Sequence, residues 1–156
     1  MRRWILLFAT HLMTLVAGFA LGIYMLPILT APPGPDEAAL RATQTSALYK
    51  GHFDRNLKGS DLVHWGEGEV RILPDKIAHE GRLSPGPDYK LYLAPDFVNT
   101  KEGFLGIKDR SQRVGDIKTF NGFLLPVPQG VDVGAYTTVV VWCEAFSQFI
   151  SAAKYR

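Results

Sequence analysis

The chain has 156 residues, of which 17 are Lys or Arg and 15 are Asp or Glu, with four His and one cysteine. Setting aside Arg2 and Arg3 at the start, fifteen basic residues balance fifteen acidic ones, and no basic block with interleaved aromatics occurs. That excludes the electrostatic footprint of a nucleic-acid binder, and a single cysteine excludes an intramolecular disulfide or a paired-cysteine metal motif.

From Trp4 to Leu29 no residue is charged. As a helix this stretch reaches roughly 39 Å, enough to cross a hydrocarbon core of about 30 Å with some tilt. It exceeds the apolar region of a signal peptide, and Thr30-Ala31 runs into Pro32-Pro33, a poor junction for cleavage. The expectation is an uncleaved signal-anchor, a single transmembrane helix over residues 1–30. Arginines before it and Asp36 and Glu37 after it place the N-terminus in the cytoplasm and the rest in the periplasm or outside the cell. Gly18 and Gly22 have the G-x-x-x-G spacing through which two membrane helices approach, a candidate homodimer contact. His11, in mid-span, reads as a neutral imidazole bonded to a neighbouring carbonyl.

Residues 31–46 read as a linker. Ala31-Pro32-Pro33-Gly34-Pro35-Asp36 stops the helix and forms a proline-rich stalk, and Glu37 to Ala42 holds one or two helical turns with Asp36 as a cap. Residues 47–156 suffice for one core but not two domains. Val70–Leu73, Lys90–Leu93, Gly122–Val127 and Thr137–Trp142 read as strands between Gly- and Pro-rich turns. Ala47–Tyr49 and Asp61–Trp65 carry less of the pattern, and Phe146–Ala153 fits both helix and strand periods. The expected fold class is all-β, an antiparallel β-sandwich or barrel behind the helix and stalk.

Gly86-Pro87-Asp88 is a turn by its chemistry, since Pro presets φ and Asp bonds its local backbone, in preference to a cation site at Asp88. Asp132 and Tyr136 read as a corner feeding the last strong strand. Along Thr138–Phe146, alternation puts Val139, Val141, Cys143 and Ala145 on one face and Val140, Trp142, Glu144 and Phe146 on the other. The thiol is then a buried small hydrophobe, a reactive thiolate or a cofactor ligand. Outside the cytoplasm an unpaired cysteine is either shielded or kept for its chemistry. No paired carboxylates, Ser-His-Asp order, phosphate loop or zinc-protease helix is present, so a stand-alone enzyme is not expected.

Five segments together carry a family resemblance: Gly51-His52-Phe53, Gly66 to Val70, Gly86 to Leu93, Val131 to Tyr136, and Val139 to Phe146 with its Trp142-Cys143 pair. Over Tyr49 to Ala153 the chain resembles the DM-thirteen domain family, in its membrane-anchored bacterial type. One segment departs from the family pattern: Asn121 to Pro126 is more apolar than the family's glycine-rich polar stretch. The resemblance implies an electron-transfer or redox module, with Cys143 as candidate redox thiol and candidate cofactor ligand, haem being the group implied. A second ligand would be a histidine; His52, inside a matching motif, is preferred to His64 and His79, and their spacing fits no zinc site. The implied partners are the membrane and an envelope redox protein. The competing readings are an envelope binding or scaffolding module with Cys143 as a structural core thiol, and an apolar-ligand carrier built on a closed barrel.

Overall fold

A computed structural model describes residues 1–156. The first helix, α1 (Arg2–Thr30), runs unbroken through Pro27 and is 29 residues long. It is apolar and long enough to cross a membrane. It ends where Ala31, held extended at φ −58° and ψ 132°, meets Pro32, because a proline bars the preceding residue from helical geometry. The segment Ala31 to Asp36 has no regular structure. It does not stand clear as a spacer: Gly34 lies against the Asn121 side chain and Pro35 beside Gly122.

Helix α2 (Glu37–Ala42) starts as its sequence predicts, with the Asp36 side chain accepting the Ala38 N–H at 3.1 Å, and an ion pair between Glu37 and Arg41 one turn apart. Eight strands follow: β1 (Tyr49–Phe53), β2 (Gly66–Ile72), β3 (Lys76–Leu83), β4 (Tyr89–Ala94), β5 (Gln112–Ile117), β6 (Phe123–Pro126), β7 (Thr138–Cys143) and β8 (Gln148–Lys154). A short helix, α3 (Lys101–Leu105), capped by Thr100, interrupts them between β4 and β5. They form two antiparallel four-stranded sheets, ordered β1-β2-β3-β6 and β5-β4-β7-β8. The all-β sandwich is therefore the observed class. At its two edges β1 lies beside β8, and β5 beside β6, without a ladder closing either gap into a barrel.

Three strands differ from the expectation. β3 contains Ala, Glu and Gly, which disfavour strands, yet its Ile77, His79 and Leu83 face inward against β2 and β6. β5 is mostly polar and buries only Val114 and Ile117. The ambiguous run after Phe146 is strand β8, fixed by pairing with β7 after a turn in which Ser147 takes φ +46°. Asp61–Trp65, by contrast, is a loop, because the Asp61 carboxylate captures the N–H groups of Val63 and His64 at 2.8 Å each.

Between the sheets lies the main core, where Phe53, Val70, Ile72 and Ile77 meet Leu91, Leu93, Val139 and Val141. Each such side chain contributes about 1.5–3 kcal/mol on burial. The outer face of the second sheet is covered as well: Tyr92, Val140, Trp142 and Phe149 pack under Phe104 of α3 and Ile107. The first sheet's outer face instead carries a buried cation. Arg71 reaches Glu69 at 2.5 Å, Glu80, the Leu40 carbonyl at 3.2 Å and the Thr43 hydroxyl at 3.2 Å. Its bonds hold the Glu80 carboxyl below the usual carboxylate range. They also tie α2 to the sheet, burying Leu40 and Thr43. Replacing Arg71 by Met keeps the apolar stem but removes the charge partner of Glu69 and Glu80 and the tie to α2, leaving the Leu40 carbonyl and Thr43 hydroxyl bonded only within their own turn. The expected cost is roughly 2 kcal/mol in urea unfolding, with new protease cleavage between residues 31 and 46; an unchanged urea midpoint would contradict this role.

His79 is fully buried in the core, its ring 5.1 Å from Phe53 and 5.0 Å from Phe123. Its Nε2–H donates to the Glu67 carbonyl at 3.0 Å, while Nδ1 has no partner. Room for that bond comes from the facing pair Gly68 and Gly81: a Cβ on Gly81 would meet Nε2 at 2.8 Å, and Gly68 adopts φ +114°. Burial lowers the imidazole pKa from 6.5 to about 4, more than the Glu67 bond and Glu80 raise it. A depressed folded pKa means the unfolded chain binds the proton first. Stability is therefore complete above pH 6.5 and falls as pH drops toward 4, by about 2 kcal/mol between pH 7 and pH 5. Unfolding measured across that range should show this slope, and His79→Leu should flatten it.

Candidate redox site at Cys143

Cys143 ends β7, paired with Tyr89 on one side and Gln148 on the other. The β-branched run before it forces extended backbone, so alternation sends Val139, Val141 and Cys143 into the inter-sheet core and Val140 and Trp142 to the opposite face. Alternation stops at the cysteine. Ala145 and Phe146 belong to the turn that follows, and Phe146 projects into water. The sulfur is thus at the end of the core, not its middle.

Cys143 is only 2% exposed. Burial pushes its thiol above the ordinary value of 9.0, outweighing the N–H groups of Phe146, Asp88 and Ala145, which face the sulfur and pull the other way. Beside it Tyr89, also driven up by burial, donates its hydroxyl to the Pro85 carbonyl at 3.2 Å. Gly86 is required here, because a Cβ would enter the Tyr89 ring. Lys90, next in β4, bonds Asp88 at 2.6 Å and Asp116 at 3.1 Å, so Asp88 serves the turn and an ion pair.

A largely apolar cleft of about 310 Å³ opens at this end of the sandwich. Cys143, Tyr89, Phe146 and Ile150 form one wall; Ile23 and Tyr24 of α1 form another. His64 also lines the cleft, held through Nδ1 at 2.8 Å from Asp61. Burial tends to raise the Asp61 carboxyl, but the His64 ring and the two loop N–H groups carry it below its usual range. The structure thus brings His64 to the same cleft as the thiol. It does not bring His52, which points to solvent from the outer face of the other sheet, opposite Glu69, nor His79, whose ring is enclosed by Phe53 and Phe123. The sequence signal for His64 is the Asp-x-x-His spacing that lets one carboxylate fix both the loop and the ring.

On the other face of the same strands a second polar cluster gathers. The Glu144 carboxylate accepts the Tyr92 hydroxyl and the Lys108 ammonium, the latter at 2.7 Å. The Lys108 nitrogen stands 5.4 Å from the Trp142 ring centre and 5.7 Å from that of Tyr92. Burial would raise the Glu144 carboxyl, yet these two donors lower it; burial and Glu144 both raise the Tyr92 hydroxyl. Residues 52 positions apart meet here, a proximity no local pattern encodes.

Residues 56–155 match the family described as electron transfer DM13. The chain belongs to that family. The matched stretch runs from the β1–β2 loop to the end of β8 and so includes Cys143, His64 and both clusters. No curated protein and no solved structure matches the chain.

A haem does not fit Cys143 as the DM13 domain presents it. Axial ligation by cysteine needs a thiolate with an open direction, and this sulfur is covered and held protonated. The cleft's 310 Å³ also lies at the low end of the range for small-molecule sites. Among the side chains no cluster of three His, Cys, Asp or Glu has metal-binding geometry. Alkylation of Cys143 by iodoacetamide in the folded protein should run about tenfold or more slower at pH 8 than in the urea-unfolded chain, and its rate should still be rising above pH 9. A rate that levels off below pH 8 would contradict the raised thiol.

Proposed function

We propose that the chain is a single-pass membrane protein whose DM13 domain lies outside the cytoplasm and takes part in electron transfer through Cys143. The observation that carries the reading is a coincidence of three features at one end of the sandwich: the sole thiol, a carboxylate-held histidine and a cleft open beside the apolar helix. Family membership supports the class of chemistry, and the length of α1 supports the anchor. Two arginines ahead of the span and acidic residues behind it support the orientation. In this reading the electron partner is an envelope redox protein that approaches along the membrane, and Gly18 and Gly22, both free of neighbouring atoms, are the positions at which two anchors pair.

One observation favours a second reading, in which the domain is a non-catalytic envelope scaffold: the thiol is buried in the same apolar cluster as Val141 and Ile150, as a structural core residue would be. Equilibration of the full-length protein in detergent with a graded series of glutathione redox buffers separates the two. In the redox reading, mass spectrometry of the acid-quenched folded protein shows Cys143 passing from thiol to mixed disulfide across the series, and Cys143→Ser shows no change. A thiol that stays free at every potential, in a protein without visible absorption, removes the redox reading and leaves the scaffold.

A further inference from the structure

The end of the sandwich that carries Cys143 is also where large apolar side chains are left uncovered together. Leu62 is 93% exposed, Phe146 55% and Val63 51%. Val63 and Phe146 line the cleft against Ala20, Ile23 and Tyr24 of α1, so they stand beside the apolar helix. Of the domain's three other exposed large apolar residues, Leu48 and Phe97 sit at the opposite end, next to the start of β1 and the end of β4, and Leu105 stands alone at the end of α3.

Helix length sets the depth of these tips. Counted from Trp4, about 20 residues at 1.5 Å each cross a hydrocarbon core of about 30 Å, which brings its far boundary to Ile23 and Tyr24. The domain touches the helix at that height. Around the same point lies a ring of interfacial chemistry. Trp65, Arg55 and Arg82 border a depression beside Ile28 and Pro32, and Lys118 and Lys90 border another beside Pro27 and Thr30. The Arg55 guanidinium lies 3.6 Å over the Trp65 ring. The acidic residues of that rim, Asp88 and Asp116, are both bonded by Lys90, while Arg82 and Lys118 point outward to solvent. Apolar tips with tryptophan and basic residues just above them match the layering of a bilayer surface.

We propose that this end of the domain is a membrane-docking surface: the Leu62-Val63 loop and Phe146 enter the headgroup–acyl boundary of the leaflet that α1 leaves, and Arg82 and Lys118 rest on anionic phospholipid headgroups. The proposal rests on α1 being the anchor. It makes the bilayer surface a wall of the Cys143 cleft.

The test uses the full chain in vesicles of phosphatidylcholine and phosphatidylglycerol containing lipids with a nitroxide near the headgroup. A fluorophore is attached at Leu62→Cys, and for comparison at Asp75→Cys in the turn at the far end of the sandwich; labelling of the unsubstituted chain, whose own thiol is buried, sets the background. Quenching at position 62 is expected to exceed that at position 75 about threefold, and the double change Arg82→Glu with Lys118→Glu should cut it by roughly half. Equal quenching at both positions, in a chain that resists extraction by alkaline carbonate, overturns the docking surface and leaves the anchor standing. Extraction by carbonate overturns the anchor and the docking with it.

Discussion

All six residues of β7 are out of water, so the strand needs an apolar layer on each side. The first layer is the opposing sheet; the second is the loop that carries α3, folded back over Trp142 with Phe104 and Ile107. Neither sheet alone closes off this strand, and the long β4–β5 connection exists to supply the missing cover. Once β7 is fixed between two layers, alternation leaves no freedom in where its side chains go: the sulfur of Cys143 faces the inter-sheet core and the Trp142 ring faces away. The two polar clusters, one at His64 and one at Glu144, are then set on opposite sides of a single peptide strand.

The strand carrying the cysteine was readable because three β-branched residues and an aromatic leave the backbone little choice. The same holds for β4, whose alternating leucines and tyrosines are fixed by the Gly86-Pro87-Asp88 turn. β3 was not readable. Its Lys76-Ile77-Ala78-His79-Glu80-Gly81-Arg82 run has weak strand preference, and it extends because β2 and β6 offer ladders on both sides. The histidine at the site shows the same limit. Motif membership pointed to His52, but alternation in β1 turns that ring outward, whereas His64 reaches the cleft by a loop whose path depends on Asp61. Contacts such as Tyr92 with Glu144 are properties of the folded sheet and have no local sequence mark.

Charge is handled differently on the two outer faces. The second sheet leaves its carboxylates partly open to water, with a mostly covered Lys90 between Asp88 and Asp116 and with Lys108 on Glu144, so that solvent shares the load. The first sheet instead buries one guanidinium, which is tolerable only because four acceptors surround it. Arginine is suited to this position by geometry, since its planar fork serves two carboxylates and two neutral oxygens at once, which an ammonium on a flexible stem does not.

That guanidinium also sets the reach of the molecule. Only Ala31 to Asp36 separates the end of α1 from a helix already fastened to the sheet, and part of that short run lies against the Asn121 turn. There is no slack for the domain to swing away on a tether. Fixed to a membrane helix in this way, it would sweep a thin layer close to the surface, so that meeting a partner becomes a search in two dimensions, with local concentration set by lateral diffusion and not by the volume of the compartment.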